Sequence, residues 1–160
     1  MMEIKKNPLN LNSTTLSIRT IPNGFCFALF ERYSKDLLYF AQHDFSSLLN
    51  QEDELNQIIH QPILNHSFDE VFWLVDTEKY FLIPSSIFEQ ESLSHYWQLN
   101  FHPLEENESI QYDIIPTSDV VVVYAIDKRL ESLFQKRFPN LQSKHKQSIQ
   151  ISSVLKRYRK

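Results

Sequence analysis

An unbroken β-branched run, Val120-Val121-Val122-Val123-Tyr124-Ala125-Ile126, constrains this chain more than any other feature. Successive apolar positions leave no polar face, so a strand built from them has to be covered on both sides, as central strands flanked by helices are. A second run, Val71-Phe72-Trp73-Leu74-Val75, is apolar at every position and bounded by Asp69-Glu70 and Asp76-Thr77. Two such strands with helical pattern between them predict an α/β fold with parallel strands in a mixed sheet.

The segments around these runs fill in the order. Residues 16–21 and 25–30 are apolar-rich and joined by Pro22-Asn23-Gly24, where proline presets one turn residue and Asn-Gly tolerates positive φ, so a hairpin is predicted. A third run from Leu37 towards His43 extends it to three antiparallel strands. From Ser47, the residues Leu48, Leu55, Ile58 and Ile59 fall at helical spacing until Pro62. Residues 80–83 read as a short strand, and Ser86-Ile87-Phe88-Glu89 matches a capping box opening a helix that carries Leu93, Tyr96 and Trp97 towards Asn100. Residues 110–115 suggest an edge strand closed by Pro116. Past Asp127, the positions Leu130, Leu133, Phe134 and Phe138 predict a helix that stops at Pro139. No repeat or linker divides the chain, so the expected layout is a flexible 1–13, one domain over 14–143, and a basic 144–160.

Three antiparallel strands, a helix, a buried strand, a helix, another buried strand and a last helix is the order of ribonuclease H-like domains. Leu16-Ser17-Ile18-Arg19 before Pro22-Asn23-Gly24-Phe25, then Ile83-Pro84-Ser85, Leu99-Asn100-Phe101, Tyr112-Asp113 and Phe138-Pro139 together resemble an uncharacterised bacterial family, domain-of-unknown-function family 3822. The resemblance covers roughly residues 14–145. It implies a ribonuclease H-like motif as found in each half of actin-like ATPases, with this chain holding the first half and residues 149–160 beginning the second. No biochemical activity comes with it, and a chain lacking the second half would leave apolar surface for self-association.

The known phosphate-loop motifs and a two-metal nuclease site are both missing from the sequence. Gly24 is the only glycine, whereas loops that cradle phosphates need several, because only glycine lets successive N–H groups crowd an anion. A two-metal nuclease needs clustered carboxylates anchored on the first strand, yet no Asp precedes Asp36, and Arg19 there repels cations. Asp76 and Asp127 each follow a predicted parallel strand, where open α/β sheets place ligands, so they are the first places to look for a cation. Yet Asp127 stands where a helix N-cap belongs and Asp76-Thr77 is ordinary turn chemistry, so capping and turn roles are the expectation for the pair. The six histidines have no metal-type spacing, and Cys26, between Phe25 and Phe27, reads as an inert buried thiol. Trp73 and Trp97, set among aliphatics, read as core.

Charge is divided unevenly along the chain. Residues 1–143 hold 10 Lys/Arg against 20 Asp/Glu, a net −10, and residues 144–160 hold 6 against none, a net +6. Nucleic acid could therefore be met only through Lys144, Lys146, Lys156, Arg157, Arg159 and Lys160. A lone cysteine permits no internal disulfide, and the longest apolar run falls well short of the roughly 20 residues that span a bilayer. The expectation is a cytoplasmic, non-catalytic protein of unknown function, without cofactor, that works through a protein partner or a second copy. Nucleic-acid binding by the basic segment, or weak nucleotide binding within a two-half protein, are the alternatives.

Overall fold

The computed structural model describes residues 2–5, 13–21, 24–46, 51–116 and 118–158. They form two compact units: Met1–Leu74 with Ser132–Ser143, and Val75–Glu131 with Lys144–Lys160. The chain leaves the first sheet near Val75 and builds a second sheet before returning at Ser132.

The first unit is built on a mixed sheet of β1 (Met2–Lys5), β2 (Thr14–Ile21), β3 (Gly24–Glu31), β4 (Leu37–Asp44), β5 (Glu70–Val75) and β9 (Leu141–His145), in the order β1-β4-β3-β2-β5-β9. The three predicted N-terminal strands pair antiparallel, and β5 pairs parallel to β2 with Ile18 opposite Trp73. Residues 2–5, expected to be flexible, pair antiparallel with β4, whose backbone edge would otherwise be unpaired. Alternation sorts the faces: Leu16, Ile18, Phe25, Phe27, Leu29, Tyr39 and Ala41 are buried, as are Leu55 and Ile59, one turn apart on α1 (Gln51–Ile59). The Phe134 ring sits edge-on to Phe25 at 5.9 Å and to Trp73 at 5.2 Å, on α3 (Lys128–Arg137).

Gly24 has a different purpose from the one expected. Pro22 and Asn23 lie outside the described residues, and Gly24 itself does not adopt positive φ. A Cβ there would overlap the His43 carbonyl oxygen and stand 2.9 Å from the Asp44 Cα, so the glycine lets β3 start against β4.

The second unit holds β6 (Tyr80–Pro84), α2 (Leu93–Asn100), β7 (Glu108–Ile115), β8 (Val120–Asp127) and α4 (Lys146–Tyr158). The valine-rich run is buried on both faces as expected, but β8 pairs antiparallel with β6 and β7 in a sheet ordered β6-β8-β7, so it is not a parallel strand beside β5. Its pattern reports burial, not direction. Val121, Val123 and Ala125 join Ile83 and Trp97 in one core, and Val122, Tyr124 and Ile126 are buried on the opposite face.

The capping-box signal at Ser86 to Glu89 is overruled. Phe88 and Glu89 are extended, two short 3-10 turns precede α2, and the helix starts only at Leu93. Phe88 is half-buried against the core of Ile83, Trp97 and Val123, its ring 4.9 Å from Tyr112.

Candidate functional site

Asp76 and Asp127 are each held by a cation of the chain itself. Asp76, immediately after β5, accepts a charge-assisted bond from Lys146 Nζ at 2.8 Å. Asp127 ends β8 and accepts the Arg129 backbone N–H at 2.8 Å, with Arg129 Nε at 3.1 Å and Nη2 at 2.6 Å on the same carboxylate. Burial works to raise the Asp127 carboxyl, but those Arg129 bonds outweigh it and hold the group below its ordinary value. Its position is that of a helix cap. Among the described residues no group of three or more His, Cys, Asp and Glu side chains is placed to hold a metal ion.

A polar cluster is buried beside α4. Asp113, on β7 and 3% exposed, shares its sheet face with Ile115. Its Oδ2 accepts the backbone N–H of His145 at 2.8 Å and the Ser148 hydroxyl at 2.6 Å; its Oδ1 accepts the Tyr124 hydroxyl at 3.3 Å and Lys144 Nζ at 3.4 Å. His145 is 1% exposed. Its Nδ1 accepts the Gln147 backbone N–H at 3.2 Å, which leaves Nε2 to donate to the Thr77 carbonyl at 3.1 Å. The imidazole also faces Tyr80 and Tyr124, with ring centroids 4.6 Å and 5.1 Å away. Burial pushes His145 below its ordinary value, against the Thr77 carbonyl and the carboxylates of Asp113 and Asp76.

Ser148, His145 and Asp113 are the ingredients of a nucleophilic triad, but their connections differ from one. The serine hydroxyl bonds the aspartate, the imidazole bonds a backbone carbonyl, and all three are buried, so no nucleophile is paired with a base. The cluster instead satisfies the first turn of α4, whose N–H groups lack partners within the helix and whose positive dipole end faces the carboxylate. The sequence signal was faint: an Asp at an inward position of an alternating strand, and a His three residues before a Ser at a helix start.

The basic segment is partly committed. Lys144 and Lys146 bond Asp113 and Asp76, Lys156 and Arg157 are exposed in the last turn of α4, and Arg159 and Lys160 lie outside the described residues. Cys26 is half-buried on the sheet face opposite Phe25 and Phe27, not in the core as expected, lining an open groove of about 390 Å³ with Arg19, Phe30, Phe40 and Gln42. Burial raises its thiol despite the opposing pull of Arg19.

No helix among the described residues is long and apolar enough to cross a membrane. A crystal structure of a protein with actin-like ATPase fold and unknown function from Bacteroides thetaiotaomicron is similar over 92% of this chain and 59% of that one, with 22% identity and a TM-score of 0.83. The likeness is one of fold, and the chain spans about three-fifths of that protein's length. The cytoplasmic domain of EpsL, an inner membrane component of the type II secretion system of Vibrio cholerae, is similar over 81% of this chain and 56% of that one, at 10% identity and a TM-score of 0.46. Among curated proteins none matches. With the family described as protein of unknown function (DUF3822) matching residues 4–160, the chain belongs to that family.

Proposed function

We propose that this chain is a non-catalytic actin-like domain that works in the cytoplasm through protein contacts. The observation that carries the reading is the carboxylate after β5: Lys146 Nζ stands on Asp76 at 2.8 Å, where a nucleotide-bound cation would need an open ligand. The one glycine lies in a strand pairing, not in a loop that could wrap a phosphate. Exposed apolar side chains, among them Leu82, Leu99 and Ile114, supply surface for a partner. Titration calorimetry with magnesium or manganese, alone and with ATP, tests the reading. No heat, and no thermal shift at millimolar ATP, are expected; saturable binding with turnover lost in Asp76→Ala overturns it.

A second reading, nucleic-acid contact through the basic segment, draws on the exposed Lys156 and Arg157. With Lys144 and Lys146 committed to carboxylates, it relies on fewer free cations than the sequence offers. Salt-sensitive RNA or DNA binding, abolished by Lys156→Glu with Arg157→Glu, would select it.

A further inference from the structure

We infer that His145 is a proton-operated latch: with its imidazole neutral it fastens the first turn of α4 beside Asp113, and on taking up a second proton it releases that turn. The geometry requires the neutral ring. Nδ1 is an acceptor for the Gln147 N–H at 3.2 Å, and Nε2 already carries the proton given to Thr77, so the incoming proton has only Nδ1 to go to. There it would set two donors face to face and place a positive charge at the positive end of the α4 dipole.

The Thr77 carbonyl and the carboxylates of Asp113 and Asp76 favour that charge, but burial outweighs them. Asp113, from β7, already accepts His145 N–H, Ser148, Tyr124 and Lys144, and Asp76, after β5, is bonded to Lys146 of α4. Tyr80 from β6 and Tyr124 from β8 press their rings on the imidazole and exclude water. Each carboxylate already has an ammonium partner, so an imidazolium would be a third cation beside two anions, buried where their attraction does not make up for lost hydration. The lowered proton affinity of His145, caused first by burial, runs the same way.

The linkage has a definite sign. An unfolded or released His145 binds its proton near its ordinary value of 6.5, whereas the latched ring binds it only at lower pH. Latching is therefore at full strength above about 6.5 and weakens as pH falls between the two values.

Amide hydrogen exchange on the full chain at pH 7.5 and 5.0, corrected for the intrinsic rate, tests this. Protection of the α4 amides is expected to fall by up to roughly tenfold per pH unit below the ordinary histidine value, while β3 and β4 keep theirs. His145→Asn offers Gln147 a side-chain oxygen but no titratable group, so α4 should stay protected at both pH values. Equal pH sensitivity in His145→Asn, or none in the wild type, overturns the latch. Imidazole 15N resonances of the wild type give an independent reading that needs no variant: His145 must be the Nε2–H form at pH 7.5, and its protonation must coincide with loss of α4 protection. A ring that titrates while α4 stays closed refutes the proposal.

Discussion

At position 24 the side chain is fixed by a neighbour's backbone. Because a Cβ on Gly24 would collide with the His43 carbonyl oxygen, Gly24→Ala should destabilise the β3–β4 pairing by about 1–3 kcal/mol, read as faster exchange of those strands' amides. Unchanged exchange would mean that β4 shifts freely. The sequence marked this glycine as important for a turn; its actual constraint arises from a strand that arrives some twenty residues later, which local turn chemistry cannot register. Asp113 and His145 were illegible for the same reason. Their partnership spans 32 residues and exists only because β7 and the start of α4 are brought side by side, so neither residue advertises it in its own surroundings.

Among the elements, what could be read was whatever burial dictates. The β2–β3–β4 antiparallel set, the strand β5 (expected buried on both faces but buried only through Val71, Trp73 and Val75, with Phe72 and Leu74 half-buried), α3 ending before Pro139 and the core roles of Trp73 and Trp97 all follow from apolar spacing. Strand direction does not, since a central strand is apolar on both faces whether its neighbours run with it or against it, and β8 is the example. The strand β9 was hidden in a polar stretch, Leu141-Gln-Ser-Lys-His145, with no alternation to betray it. In the second unit, α2 is anchored through Trp97, whose ring lies 6.3 Å from Phe81 and 4.6 Å from Phe101. Trp97→Ala should cost about 3–5 kcal/mol and free α2 in hydrogen exchange. Trp97→Phe should cost much less, because the indole N–H has no hydrogen-bond partner to lose.

For the whole molecule, the fold class was legible and the division into two units was not. Periodicity reports which faces are covered, whereas the units are set by which strands pair across long separations, and no composition change marks the departures at Val75 and Ser132. The charge division also changes meaning once the bonds are known, because two of the six cations in residues 144–160 neutralise Asp113 and Asp76 within their own unit.

The first unit is made of two stretches of chain with the second sheet's strands encoded between them. A ribosome therefore delivers Trp73 about sixty residues ahead of Phe134, the ring that caps it, and the early strands must wait for late-made partners before their apolar side chains leave water. A fragment ending at Leu74 should accordingly show strand content without slow-exchanging amides, and should aggregate or recruit a chaperone. Native-like protection in that fragment would show that the nascent sheet stands without waiting.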